Sequence, residues 1–351
     1  MSADTIQEAR RQIEICNACR YCEGYCAVFP AITRQKAFAD GDITQLANLC
    51  HNCRGCYYAC QYTEPHEFAL NLPKALAEVR QDSWQDFAWP PQFGKAFHTS
   101  GVAITVLIVL CFSLLFALSR MIVPIDGEGF YATLSHSMMV AIFIPAFLLP
   151  LASIAISLRK YWQSVDGGKL TFAAVKGAFS DAGRMKNLSG GHGEGCNFED
   201  EDRFTKLRKT GHQLTMWGFL LCFAATSSGT ILHYGFDIKA PYSLISLPKI
   251  FGVSGGIMLT LGTLKLAWLK TKADRDLGDA RVWGGEMAFI LLLCAIAVTG
   301  LGLYAATGTD LVSALLAIHL GTVLGFFLLM PFSKMAHGFY RLTALIADKT
   351  R

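Results

Sequence analysis

The chain has 351 residues, of which 52% are hydrophobic and only 17% charged; it carries a net charge of +4 and twelve cysteines. Roughly a quarter of a soluble domain is charged, so this composition excludes disorder and collagen, and a mild +4 does not mark a phosphate-tracking surface, so no nucleic-acid partner is expected. The bias is uneven: residues 1–98 hold nine Lys/Arg and eight of the twelve cysteines, whereas 99–351 hold nearly all the long apolar runs. Met1 leads into a polar amphipathic stretch and not a short apolar run, so no secretory signal is expected.

In chain order, the first feature is a doubled cysteine pattern. Cys16-x2-Cys19-x2-Cys22-x3-Cys26 is followed by Cys50-x2-Cys53-x2-Cys56-x3-Cys60. Each copy has the spacing of the bacterial ferredoxin run, whose fourth cysteine ligates the other cluster. Three thiolates in successive tight turns wrap three corners of one cube, and the cysteine three residues on projects from a helix start toward a second. The spacing therefore predicts one [4Fe–4S] cluster on Cys16, Cys19, Cys22 and Cys60, and another on Cys50, Cys53, Cys56 and Cys26. A disulfide framework needs an oxidising compartment, and zinc favours paired CxxC or Cys/His sets; neither suits this run. The proline usual after the fourth cysteine is displaced to Pro30 and Pro65. Residues 27–49, with Phe38 and Leu46 among polar neighbours, read as a helical spacer. Residues 1–66 then form a double-cluster, ferredoxin-like domain, and 67–98, with Pro73, Trp84, Trp89, Pro90 and Pro91, an interfacial linker suited to lie at a membrane surface.

Spanning about 30 Å of hydrocarbon takes about 20 apolar residues. Stretches free of Asp, Glu, Lys and Arg run over 99–119, 129–158, 210–236, 287–309 and 311–333, with a sixth at 250–264 whose flanking Lys265 can snorkel. Six helices are expected, at about 99–119, 132–158, 211–233, 249–269, 286–306 and 311–333, within a membrane domain over 99–338. The loop 159–209 holds ten Lys/Arg, 270–281 four and 334–351 four, whereas 120–128 and 234–248 contribute only Arg120 and Lys239. By the positive-inside bias the first three segments and both termini are cytoplasmic, with 339–351 as a tail. The lipid bilayer of the cytoplasmic membrane is thus an expected partner. Cys111, Cys222 and Cys294 fall in apolar runs and read as packing residues. Cys196 ends Ser189-Gly-Gly-His-Gly-Glu-Gly-Cys196, which reads as a flexible docking loop, with a His192/Cys196 metal site as the alternative.

Intramembrane histidine is expensive unless it binds something. The third helix starts at His212 and ends near His233; the sixth carries His319 and leads to His337. Eighteen residues, five turns or about 27 Å, separate His319 from His337, so both rings share a face, subject to a kink at Pro331. His212 and His233 are about 31 Å apart on the antiparallel third helix. Two helices offering paired imidazoles at each end suit bis-histidine b haem, one at the inner end, with a second at the outer end as the further option. His136 and His98 are reserve ligands, and a wet interfacial role remains open for each histidine near a helix end. Lys265, Tyr234 and Arg341 are polar candidates for contacts to a quinone. No Rossmann, Walker or nucleophile-elbow motif is visible, so substrate chemistry belongs to a partner.

The run from Ile318-His-Leu-Gly to Met330-Pro-Phe-Ser-Lys-Met-Ala-His337 resembles the last helix of the respiratory nitrate reductase gamma subunit, a dihaem quinol-oxidising anchor. That resemblance implies His212 and His337 as the inner haem pair. The family's next histidine, ten residues on, is Cys222 here, which leaves His233 or His136 as the partner of His319 in an outer haem. The whole chain, with the doubled cysteine run, the Gly-Gly-His-Gly-Glu-Gly-Cys loop and Lys334-Met-Ala-His-Gly-Phe-Tyr-Arg341, more closely resembles the TcuB/CitB family of tricarballylate and citrate utilisation. This implies an α-helical membrane protein with a six-helix cytochrome b-type bundle. It also implies transfer of electrons from a reduced FAD-dependent dehydrogenase, through two [4Fe–4S] clusters and b haem, to membrane quinone. Reverse flow from quinol to a cytoplasmic acceptor, and a redox-regulated transporter or sensor, are the alternatives.

Overall fold

A computed structural model describes residues 3–35, 37–122, 134–190, 193–198, 203–238, 240, 242–243 and 245–351. The chain runs α1 (Ala3–Cys19), α2 (Val28–Arg34), α3 (Asp40–Leu49), α4 (Gly55–Tyr58), α5 (Leu72–Phe87), α6 (Pro91–Ile122), α7 (His136–Ser164), α8 (Phe172–Gly183), α9 (Leu207–Phe236), α10 (Leu247–Lys272), α11 (Trp283–Ala305), α12 (Val312–Leu329) and α13 (Ala336–Thr350). Helix starts carry recognisable signals. Asn71 Oδ1 accepts from Lys74 N at 3.2 Å with Pro73 in the first turn of α5, and Thr171 caps α8 through Ala174 N at 3.2 Å. Six of the described helices, from α6, α7, α9, α10, α11 with its preceding turn, and α12, are long and apolar enough to cross a membrane. His192 and Lys239, singled out from the sequence, lie outside the described residues, as do 123–128 of the first outer loop.

The cysteine-bearing part is a helical domain. Its core packs Ile13, Ile32, Ile43, Leu46, Leu76 and Val79 from α1, α2, α3 and α5. The spacer over 27–49 is two helices, α2 and α3, and the expected interfacial linker is mostly α5, whose Val79 and Ser83 are fully buried. The domain is not closed by itself. Tyr161 at the end of α7 is fully buried in the same core and donates to Gln45 Oε1 at 2.5 Å, while Gln45 Nε2 donates to Ala344 O of α13 at 2.8 Å. Gly41 of α3 approaches Ser164 O so closely that any Cβ would lie 2.2 Å from it.

Within the bundle, glycines set the tightest contacts, as expected where lipid offers no hydrophobic gain and close backbone approach must. A Cβ on Gly218 of α9 would lie 2.5 Å from Leu259 N, one on Gly262 of α10 2.5 Å from Thr215 N, and one on Gly255 2.8 Å from Cys222 N. The stripe Gly211, Thr215, Gly218, Cys222 of α9 thus faces Gly255, Leu259, Gly262 of α10. Gly321 of α12 approaches Ser113 of α6 in the same manner, 2.6 Å from its N.

Three expectations need correction. His319 and His337 are not on one helix: α12 stops at Leu329, turns over Met330–Lys334 follow, and α13 starts afresh at Ala336. Pro331 lacks an N–H and its ring clashes with the preceding turn, which ends the helix. Secondly, 339–351 is no tail; it is most of α13, whose Tyr340, Ala344 and Ala347 are buried against the cysteine domain, α7 and α8. Thirdly, Cys196 is not in an open docking loop: it is 1% exposed, and its backbone pairs with Thr205. Both basic loops and α13 therefore gather at one end of the bundle, around the cysteines. Gly218→Leu should overpack the α9–α10 contact and destabilise the protein by about 1–3 kcal/mol, read as a lower unfolding temperature in detergent, whereas Gly302→Leu, which meets nothing within 4 Å, should be close to neutral.

Candidate redox centre

The eight cysteines fall into two groups, built by the turns on either side of α2 and α3. Cys16 and Cys19 end α1, Cys22 lies in the following turns, and Cys60 is brought beside them from the segment after α4. These four surround a cavity of about 240 Å³, closed by Tyr57, Tyr62 and Leu70, with Cys56 on its inner wall. Cys26 lies instead against Cys50, Cys53 and Cys56, each thiol raising its neighbours' pKa. The geometry thus interleaves the motifs, each fourth cysteine joining the other three. The local route differs from expectation: Cys26 precedes α2 by two residues, but Cys60 follows the four-residue α4 in a turn, not a helix start.

The chemistry of the set fits a cluster. Burial, then Cys60, Cys22 and Cys19, pushes the Cys16 thiol up to about 12, and burial and Cys60 do the same for Cys22. Burial likewise raises Cys26 and Cys56 well above the ordinary thiol range. Crowded buried thiols of this kind form thiolates only against positive charge, which iron supplies. No three His, Cys, Asp or Glu of the described residues converge on a single metal ion, as expected for ligands spread over the corners of a cube.

One loop ties this domain to the membrane helices. Arg341 Nη2 and Arg80 Nη1 both donate to Cys50 O, at 2.8 and 3.0 Å, Arg208 Nη1 to Asn52 O at 2.7 Å, and Arg54 Nη2 to Asp274 O at 2.7 Å. Arg208 is one turn before His212 on α9, and Arg341 one turn after His337 on α13, so each arginine shares a helix face with a histidine. The two imidazoles meet beneath, ring centroids 5.6 Å apart and tilted by 37°. His337 Nδ1 bonds to Lys334 O, which leaves Nε2 as the lone-pair nitrogen. His212 Nδ1 and Arg341 Nε are buried without a partner. Burial, with His212, Arg341 and Lys334 adjacent, holds His337 well below the usual imidazole range, hence neutral. Burial and the Arg80 and Arg208 guanidiniums pull Arg341 down to about 9. Two neutral facing imidazoles, with orphaned donors and arginines beside them, fit an axial haem pair with anionic propionates.

A family model described as Citrate utilization protein B matches residues 98–351, and one for its Fer4-like domain matches 9–86. The Citrate utilization protein B of Escherichia coli is 43% identical over 345 residues, covering 97% of this chain and 90% of its own length. The chain belongs to the citrate utilization protein B family. No solved structure matches it. The Fer4-like match contains all eight clustered cysteines and nearly all of α5, in keeping with the buried place of that helix.

For this family member the remaining expected residues divide sharply. His233 and His319 are not brought together. The His233 ring stacks on His136 with centroids 4.4 Å apart and Tyr234 beside it, while His319 Nδ1 pairs with Thr299 Oγ1 at 3.0 Å over Gly300. The structure therefore does not place His233 and His319 as a facing pair. Lys265 runs its stem along Gly211 and does not line the cysteine cavity. Cys196, given no firm role from the sequence, lies within hydrogen-bonding reach of Cys53, which that contact and burial raise well above the ordinary thiol. Cys196 Sγ also faces Leu188 O at 3.4 Å, and Asn197 N donates to Cys53 O at 2.9 Å. The glycines before it were the available signal, since Gly195 (φ 122°) could carry no side chain so near Thr205.

The interleaving makes a direct prediction. Cys16→Ala and Cys60→Ala should each lose the same cluster, and Cys26→Ala and Cys50→Ala the other, with iron content falling by about half in all four. Electron paramagnetic resonance of the reduced proteins checks it; pairing of Cys26 with Cys16, or of Cys60 with Cys50, would refute the interleaving.

Proposed function

We propose that this chain is the membrane electron-transfer subunit of a citrate or tricarballylate-type utilisation system, receiving electrons from a reduced FAD-dependent dehydrogenase and delivering them to the quinone pool. Two [4Fe–4S] clusters, on Cys16, Cys19, Cys22, Cys60 and on Cys26, Cys50, Cys53, Cys56, and one b haem between His212 and His337 would supply a one-electron relay when bound. The observation that carries the reading is the Cys50–Arg54 loop, bonded through its own backbone to an arginine one turn from each of the two histidines.

The protein's part is placement. Cys19 is exposed and Tyr21 beside it 70% exposed, so the outer cysteine group is the accessible end for a soluble donor. The second group is half-buried on the loop that Arg208, Arg341 and Arg80 bond, where their charge would offset that of thiolate-bound iron. The relative's name ties its role to citrate; carried to this chain, the donor acts on a tricarboxylic acid.

His337→Ala should abolish or shift the reduced b-type α band of the detergent-purified protein while iron and acid-labile sulfide stay at wild-type levels. A wild-type protein with no reduced α band would remove the haem from the reading. Clusters that disappear together with His337 would show that the two modules are not separable.

A further inference from the structure

A second cavity lies where the cysteine domain meets the bundle. It has a volume of about 290 Å³ and is lined by α5, the start of α6, the start of α11 and the turn after α12. Its origin is a break in α6. Ser100 leaves helical torsions (φ −133°, ψ 30°), so the interfacial turns from Pro91 and the apolar span are two segments meeting at an angle. Gly284 and Gly285 of α11 keep the space beside the break open, since a Cβ on Gly284 would press Val102 at 3.2 Å.

The two ends of the cavity differ. Val102 is 47% exposed on the flank of the bundle that would face lipid, so the mouth opens on the hydrocarbon. The polar lining is His98, Gln81, Glu286, Lys334 and Arg281, the last exposed to water. Gln81 Nε2 approaches His98 Nδ1 at 3.4 Å; with the amide donating, the other ring nitrogen carries the proton and is a donor. Glu286 is held by two ammoniums, Lys270 Nζ at 2.5 Å and Lys334, which keeps the buried carboxylate paired. Trp84 forms one wall, 5.3 Å from Lys334 Nζ.

That wall is one side chain thick toward both expected redox groups. Trp84 Nε1 donates to Asn48 Oδ1 at 2.8 Å, two residues before Cys50, and Lys334 O accepts from His337. The space admits a substituted aromatic ring and is far too small for a dinucleotide. A ligand here needs a ring, carbonyl oxygens to accept from donors, and an apolar tail to leave through the mouth.

We infer that this cavity is the quinone-reducing site, with the headgroup between His98 and Lys334 and the prenyl tail passing Val102 into the bilayer. The inference rests on the electron-transfer reading above and deepens it by placing the acceptor. Two electrons, delivered singly from the relay, and two protons from water at the polar end convert both carbonyl oxygens to hydroxyls; quinol leaves by the mouth. His98 and Lys334 bind and orient the headgroup, and Gln81 is a positioning residue that fixes the His98 tautomer.

The test uses the full-length, cluster- and haem-loaded protein in detergent. An azido-substituted short-chain benzoquinone should photolabel peptides covering 97–103 and 281–286, and excess decyl-quinone should suppress the label. After chemical reduction, reoxidation of the haem band by decyl-quinone should slow about tenfold in His98→Ala, the loss expected of one hydrogen bond. Val102→Trp, which fills the mouth without touching a polar group, should slow it at least as much and weaken the label. Both variants should keep wild-type iron content and α band; if one misfolds, the other decides. Reoxidation at wild-type rates in the variants, or a label at the His136–His233–Tyr234 end, overturns the cavity and leaves the electron-transfer reading standing. A wild-type protein that neither reoxidises with the quinone nor takes up label overturns the quinone acceptor itself, and the cavity with it.

Discussion

The structure depends on a single strand of backbone, the loop from Cys50 to Arg54, whose carbonyls are satisfied by guanidiniums from three distant places in the chain. Arg80 comes from α5, Arg208 from the start of α9 and Arg341 from α13. A buried carbonyl must have a partner, and a cysteine-rich loop that wraps a cluster has no regular secondary structure to provide one. The arginines resolve this locally and, because Arg208 belongs to a membrane helix and Arg341 to α13, those two fix the cysteine domain to the bundle.

Those arginines bring a second problem with them. Four cationic side chains, with Lys334 included, lie close together, Arg80 buried and the others half-buried, and Glu286 among them is already shared by Lys270 and Lys334. Burial first, and then repulsion from Arg80 and Arg208, lowers Arg341. The cysteines opposite have the reverse defect: burial, and then their neighbouring thiols, hold Cys26 and Cys56 far above the ordinary range. Each group is costly alone, and bound iron–sulfur and haem propionates would relieve both. The basic cluster and the thiols are therefore two halves of one electrostatic design, and the protein without its cofactors should be the less stable form.

Much of this was legible in the amino-acid sequence because the signals were local. The doubled cysteine spacing needs only a few turns of chain to be meaningful, the six apolar runs obey the thickness of a bilayer, and the Lys/Arg bias marks the end at which α13 and both basic loops gather. His212 and His337 were legible for a different reason: each stands at the inner end of an apolar run and the last run resembles a haem-bearing helix, though only the structure shows an arginine one turn from each reaching the same loop. What stayed hidden required tertiary information. Helical phase put His319 and His337 on one helix, but Pro331 ended α12 first. The glycines before Cys196 read as flexibility, whereas they let the chain approach Thr205 and bury the thiol beside Cys53. His136 was visible only as a reserve, since nothing in α7 announces that its first residue stacks on the last turns of α9.

On the proposed reading, the ends of the bundle have unequal work. Electrons reach the quinone cavity from the cysteine domain, and protons reach it from water at the same end, because the polar wall of His98, Gln81 and Arg281 faces that side. Charge then need not cross the membrane for quinone to be reduced, and a second haem at the outer end would serve no step. In the outer half His319 pairs with Thr299 and His233 stacks on His136. Six helices are retained although one end is used. A quinone site at the level of the headgroups needs walls from α6, α11 and the turn after α12, and those walls are held only if the helices continue into the bilayer and pack there.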